Sequence, residues 1–312
     1  MVKPELYIIA GSTACGKTAV AIELAKRLDG EVISADSMQI YKHMDIGTAK
    51  PTPEEMDGIP HHLLDVALPS QHFSVAEYSQ LATAAIEDIQ FRGRVPILAG
   101  GTGFYINAVV YGTQFTELAE GQHEKDNQLR EAYMKLAAEK GAEFLHNKLQ
   151  AIDPESARTI HQNNIKRVAR ALAFCESTGR LFSVHNAGQK ANSAKYDISF
   201  NILSMPRETL YYRINARVVA MWEAGLPQEV GRLLSQEFHP GLVAMQGIGY
   251  KEMIPFIYGH QTKDETIAEI QQATRNYAKR QETWFRHQAK NARLVDVHNK
   301  TPKEIVDEIL EF

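Results

Sequence analysis

Eight consecutive residues carry the clearest chemistry in this chain. Gly11-Ser12-Thr13-Ala14-Cys15-Gly16-Lys17-Thr18 satisfies G-x-x-x-x-G-K-[ST] at every fixed position. Its glycines permit a tight turn whose N–H groups converge on phosphate oxygens, and a helix behind it adds a favourable dipole. Lys17 supplies a mobile cation, and the Thr18 hydroxyl can hold Mg²⁺ between phosphates. A di- or triphosphate compound is therefore expected in the loop, with Mg²⁺ as the cofactor. The motif leaves open which bond breaks; nucleotide hydrolysis and phosphoryl transfer are its common uses. Cys15 occupies a variable position, so it reads as loop filler and not as a nucleophile.

Asp36 ends the apolar run Glu31-Val32-Ile33-Ser34-Ala35, and by position alone it suits the surroundings of a magnesium ion. Two stretches could track a phosphate backbone. Residues 156–175 hold Arg158, His161, Lys166, Arg167 and Arg170 without an acid. Residues 271–293 read as one long helix, on which Arg275, Lys279, Arg286, Lys290 and Arg293 share a narrow face at about 100° per residue. Glu282 lies in that stripe; Tyr277 and Trp284 lie opposite, where they pack the helix onto the body. A solvated basic face is the competing reading. Adjacent His61 and His62 have only Asp65 nearby, which favours structural roles over metal binding.

These groups need a scaffold. Leu6–Ala10, Glu31–Asp36 and Arg94–Gly101 read as buried strands, with helices over 19–28 and 75–91 between them. The alternation predicts an α/β fold: a P-loop parallel sheet core with helices on both faces. In such sheets the ligand crevice lies beyond the carboxyl ends of the strands. The loop, Asp36 and the turn Gly100-Gly101-Thr102-Gly103 are thus expected at one site. Over 114–195 helical patterns take over, opening on Glu117, Glu120, Glu124 and Asp126, which predicts a helical insertion domain. The segment Tyr196–Leu203 returns the chain to the sheet, and Leu294–Val297 adds a last short strand. The core is expected in 1–113 and 196–312, with a mainly helical C-terminal part.

The chain has 312 residues, 44% of them hydrophobic and 23% charged, as in an ordinary globular protein. No apolar run approaches the roughly 20 residues that cross a bilayer, and the first residues do not read as a signal peptide. Membrane attachment is not expected. Two cysteines, Cys15 and Cys175, give neither a disulfide framework nor zinc spacing, and suit a reducing cytoplasm. The net charge of −4 announces no nucleic acid, so any such surface must be local.

A longer pattern then emerges. Ala35-Asp36-Ser37-Met38-Gln39-Ile40-Tyr41, Met44-Asp45-Ile46-Gly47-Thr48-Ala49-Lys50-Pro51 and Pro60-His61-His62-Leu63-Leu64-Asp65 occur in order. They are followed by Ala99–Tyr105, Leu210–Arg217, Gly247–Glu252 and Ala273–Gln281. Together these segments resemble the signature of tRNA dimethylallyltransferases, also called tRNA isopentenyltransferases, over nearly the whole chain. Family loops usually read Gly-Pro-Thr where this one reads Gly11-Ser12-Thr13. The zinc finger that follows the core in eukaryotic members is absent, so the bacterial type is expected.

The resemblance implies transfer of a dimethylallyl group from dimethylallyl diphosphate to the N6 amine of the adenosine just 3′ of a tRNA anticodon. Gly11 to Thr18 would hold the diphosphate, with Mg²⁺ at Thr18. Lys17 and Arg217 would neutralise the leaving group, Asp36 would act as general base, and Thr102 would hydrogen-bond near the adenosine. Contacts to tRNA are implied from Asp36, Ser37, Met38, Gln39, Thr102, His161, Asn163, Asn164, Arg167, Tyr250, Lys251, Arg275, Lys279 and Arg280. The insertion is expected on the anticodon stem-loop, and a monomer is expected to suffice. A nucleoside or nucleotide kinase with a helical lid is the runner-up, and a non-catalytic RNA-binding module the third reading.

Overall fold

Strand β1 (Glu5–Gly11) is apolar in both directions: Leu6, Ile8 and Ala10 point to one side and Ile9 to the other, all fully buried. Such a strand needs cover above and below, which is the condition of a parallel sheet flanked by helices. The computed structural model, which describes residues 5–112, 122–190, 194–289 and 291–311, has that arrangement. Strands β2 (Gly30–Ser34), β3 (His61–His62), β4 (Val95–Gly100), β5 (Asp197–Ser204) and β6 (Arg293–Asp296) join β1 in one sheet, ordered β3-β2-β4-β1-β5-β6. Every pairing is parallel.

The first strands are followed by α1 (Lys17–Leu28), α2 (Pro53–Met56), α3 (Val75–Phe91) and α4 (Gly103–Tyr111). Helix α3 starts where Ser74 and Glu77 cap each other's backbone N–H groups. Its Tyr78 and Ile86, with Ile106 and Val109 of α4, pack on Leu6, Ile8, Ile33 and Leu98. On the opposite face Val20 and Leu24 of α1 pack on Ile9, Val32 and Ile97. The α/β class with helices on both faces is therefore observed.

The chain divides into two compact units, Met1–Gly112 with Ala194–Phe312, and Thr113–Ser193. The second unit is helical over most of its described residues: α5 (Gln122–Lys140), α6 (Ala142–Ile152), α7 (Pro154–Thr159), α8 (Ile165–Thr178) and α9 (Phe182–Lys190). Leu145, Leu149, Val168, Leu172 and Phe174 form its own core. Asp126 is buried there and pairs with Arg130 at 2.5 Å. Glu117 and Glu120 lie outside the described residues, as does the side chain of Glu124.

In the first unit the chain continues with α10 (Arg207–Glu223), α11 (Leu226–Ser235), α12 (Tyr250–Ile257), α13 (Lys263–Gln288) and α14 (Pro302–Leu310). Leu210 and Ile214 of α10 and Ile305 and Val306 of α14 join the face covered by α1. Val230, Leu233, Met253 and Ile270 form a separate cluster around Ile40 and Met44.

Helix α13 departs from the sequence expectation at both ends. It begins at Lys263, behind a capping box of Thr262 and Glu265, and stops at Gln288. Arg293 is therefore not on the basic helix face. It lies in β6, where its guanidinium donates to the Glu308 carbonyl at 2.8 Å and pairs with the Glu308 carboxylate at 3.0 Å. Lys290 is outside the described residues. Among the described residues no helix is long and apolar enough to cross a membrane.

Candidate active site

The register Ala10↔Gly100 and Ser34↔Ala99 brings the carboxyl ends of β1, β4 and β2 level with one another. Beyond β1 the loop of residues 11–18 turns into α1. Gly16 caps that helix at φ 94°, a left-handed conformation that strains any residue with a side chain. Within the loop the side chains of Ser12, Ala14 and Cys15 are buried, while Thr18 is exposed in the first turn of α1. Lys17 folds back so that its ammonium donates to the Ser12 carbonyl at 2.7 Å. The sequence-predicted phosphate cradle thus has its cation poised over its own backbone.

The ends of β2 and β4 touch because Gly100 has no side chain; a Cβ there would lie 2.1 Å from the Ala35 carbonyl oxygen. This approach lets the Thr102 N–H donate to that carbonyl at 3.0 Å and the Ser37 N–H donate to Thr102 Oγ1 at 3.1 Å. Asp36 accepts the Met38 N–H on Oδ1 at 2.9 Å and makes no other hydrogen bond among the described residues. One carboxylate oxygen is thereby oriented by the turn, and the other is left for a ligand.

Two further elements lean over this floor. Tyr277 of α13 lies beside Thr102 and Gln281, and burial together with the Asp36 charge pushes its hydroxyl up to about 12. Arg217 of α10, exposed on its helix, lies in the field of Cys15, Glu55 and Asp36. The loop, Asp36, Ser37, Thr102 and Arg217 therefore meet in the first unit, as expected. A shallow cavity of about 400 Å³ on α13, lined by Lys279, Arg280, Trp284 and His287 among others, lies on the same unit.

Three expected RNA contacts are otherwise engaged. Tyr250 is fully buried, and its hydroxyl donates to Glu229 at 2.6 Å; Glu229 also accepts the N–H groups of Asp45, Ile46 and Gly47. Tyr250 is thus corrected from an RNA contact to a structural pin. The Gln39 carboxamide accepts from Ser34 and donates to the carbonyls of Thr48 and Ala49, so its side chain is also spent on the scaffold. Arg275 donates to Asn215 Oδ1 at 2.6 Å and is half-buried, unlike the exposed Lys279, Arg280 and Arg286. Met38 packs against Gly247, whereas Lys251 is exposed and 3.5 Å from Glu252.

In the second unit His161, Asn163, Asn164 and Arg167 cluster at the start of α8, all exposed, with Asn164 as its N-cap. His61 and His62 fill structural roles: His61 bonds the Ile59 carbonyl and His62 bonds Glu31 at 2.7 Å. No group of three or more metal-ligating His, Cys, Asp or Glu side chains occurs among the described residues.

The family model described as IPP transferase matches residues 39–288. The chain belongs to that family. A tRNA dimethylallyltransferase of Acetivibrio thermocellus is 47% identical over 281 residues, covering 90% of this chain and 88% of that protein. One from an Exiguobacterium species is 48% identical, covering 92% and 89%. Among solved structures, a tRNA delta(2)-isopentenylpyrophosphate transferase from Staphylococcus epidermidis superposes with a TM-score of 0.71 at 42% identity, over 99% of this chain and 98% of that one. A eukaryotic dimethylallyltransferase described as acting on tRNA gives 0.80 at 29% identity, over 95% and 74%.

This IPP transferase family member carries two site residues that sequence reasoning passed over. Gln281 is buried, accepts the Thr13 N–H at 2.9 Å and donates to the Gly101 carbonyl at 3.0 Å. Arg213 places Nη1 4.0 Å from the Cβ position of Gly16 and has no hydrogen bond or ion pair among the described residues. Arg213 precedes Arg217 by four residues, one helical turn, which was the available signal. Gln281 gave none beyond its place in a motif, because a neutral amide does not mark a phosphate site.

Proposed function

We propose that this chain transfers a dimethylallyl group from dimethylallyl diphosphate to the N6 amine of the adenosine 3′ of the anticodon in tRNA. The observation that carries the reading is the meeting of a phosphate loop with a half-committed carboxylate, Asp36, on adjoining strand ends. The amine nitrogen attacks the allylic carbon, the carbon–oxygen bond breaks, and its electron pair leaves on pyrophosphate. The amine proton passes to Asp36. Loop amides, Lys17 and Arg217 stabilise the charge that grows on the leaving oxygens. Arg213, beside Gly16, is placed to join them.

Magnesium fits this site. Thr18 offers an exposed hydroxyl at the helix start, the type of single oxygen ligand Mg²⁺ takes when phosphates and waters supply the rest. Once bound there, it would neutralise phosphate charge. The adenosine must leave its stack to reach Asp36, and Thr102 and Ser37, hydrogen-bonded to each other next to Asp36, are available to its base edge. Lys279, Arg280, Arg286 and Lys251, with His161, Asn163, Asn164 and Arg167 of the second unit, supply backbone and loop contacts to the RNA. All these groups belong to one chain, which supports action as a monomer. Both cysteines are free and buried, which suits a reducing cytoplasm.

Incubation with dimethylallyl diphosphate, Mg²⁺ and unmodified tRNA, followed by nucleoside mass analysis, tests the reading. A prenylated adenosine is expected; ATP turnover with no prenyl product would favour the kinase instead.

A further inference from the structure

A loop of this type commonly serves nucleoside triphosphates, and its lysine reaches toward the outermost phosphates. In this protein the Lys17 ammonium rests on the Ser12 carbonyl, so the outer end of the cradle lies beside residues 12 and 13. That end is occupied. The Thr13 N–H, which a longer phosphate chain would need, is donated to Gln281 Oε1 at 2.9 Å. The other half of the carboxamide donates to the Gly101 carbonyl at 3.0 Å. These two partners fix the amide orientation, since a backbone N–H demands the oxygen and a carbonyl demands the nitrogen.

The plug is held rigidly. Gln281 is 6% exposed, and its neighbours one turn away, Ala278 and Phe285, are buried in two different core clusters. Gly101 admits it closely: a Cβ at that position would lie 2.2 Å from Gln281 Nε2. Toward the helix, by contrast, Gly16, Lys17 and Thr18 are partly or fully exposed, and the loop stays open for the inner phosphates.

We infer that Gln281 sets the length of phosphate chain the loop accepts, admitting a diphosphate and excluding a third phosphate. The inference rests on the reading of the loop as a diphosphate-donor site. A triphosphate would have to displace the carboxamide and leave both it and the Gly101 carbonyl without partners in a buried place.

Binding of inorganic pyrophosphate and inorganic tripolyphosphate, each with Mg²⁺, can be compared by calorimetry on the whole protein. The wild-type chain should prefer pyrophosphate by about tenfold or more, equivalent to about 1.4 kcal/mol. Gln281→Ala should erase most of that preference by gaining tripolyphosphate affinity. Gln281→Asn, one methylene shorter, should move the ratio the same way if alanine unsettles the helix. Gln281→Leu, which fills the space, should keep the preference. An unchanged ratio in an alanine or asparagine variant that still binds pyrophosphate would overturn the selector role alone. Failure of the wild-type chain to bind pyrophosphate would overturn the donor reading and this inference with it.

Discussion

Thr102 accepts the backbone N–H of Ser37 at 3.1 Å, so a single hydroxyl joins the end of β4 to the turn that carries Asp36. Thr102→Val keeps the side-chain shape and removes that acceptor. A part-buried N–H left unpaired costs about 1–3 kcal/mol. Prenyl transfer at saturating tRNA should fall roughly tenfold to a hundredfold, and Thr102→Ser should restore most of it. Single-turnover rates of the two variants decide the matter; equal losses in both would detach the hydroxyl from the reaction.

Asp36→Asn keeps size and one accepting oxygen but cannot take a proton near neutral pH. The chemical step should drop by about 10²–10⁴, with donor affinity little changed. If the carboxylate instead served the magnesium ion, raised Mg²⁺ would recover the rate. A magnesium series at saturating tRNA separates the two roles.

The exposed cations of α13 are expected to contact RNA phosphates, which position the RNA without reading its sequence. Lys279→Ala, Arg280→Ala and Arg286→Ala should each weaken cognate and non-cognate tRNA alike. Each should flatten the slope of log affinity against log salt by roughly 0.7–0.9. Arg275→Ala should also lower the thermal midpoint, because Arg275 braces Asn215 of α10. Salt slopes identical to wild type in all three exposed variants would remove α13 from the interface.

Glu31 is almost fully buried at the start of β2, where Arg92, Arg94 and His62 all bond its carboxylate. The Arg92 hydrogen bond is the main cause that lowers its pKa from 4.5 to about 2. A depressed folded-state pKa means that the stabilisation is complete above about 4.5 and is lost as pH falls toward 2. In denaturant melts over that window, Glu31→Gln should start less stable than wild type and lose less with acid. Parallel pH profiles would show that the carboxylate is not responsible.

The legible parts of this molecule are those where one residue type dictates one conformation. Gly11 to Thr18, the acid closing β2 and the glycines closing β4 each specify a backbone shape, and the structure places all three where the sequence predicts. The helix over 75–91 is legible for a similar reason: Ser74 and Glu77 mark its start as a reciprocal cap. Side-chain assignments were less legible. By resemblance Tyr250 is a tRNA contact, yet a buried carboxylate 21 positions earlier, Glu229, claims its hydroxyl. Gln281 carries no signal beyond its place in a motif until the fold brings it to Thr13, 268 positions earlier. Charge spacing also ran past the true end of α13, because Arg293 continues the basic period while pairing with Glu308 from another helix.

The sheet ends on its shortest members. β3 has two residues and β6 has four, so each outermost strand offers only a short run of backbone to a strand from another chain. Short margins of this kind hinder edge-to-edge aggregation. The central strands β1 and β4 are paired with neighbours on both sides. The most apolar strands of the sheet are thereby kept out of reach of another chain.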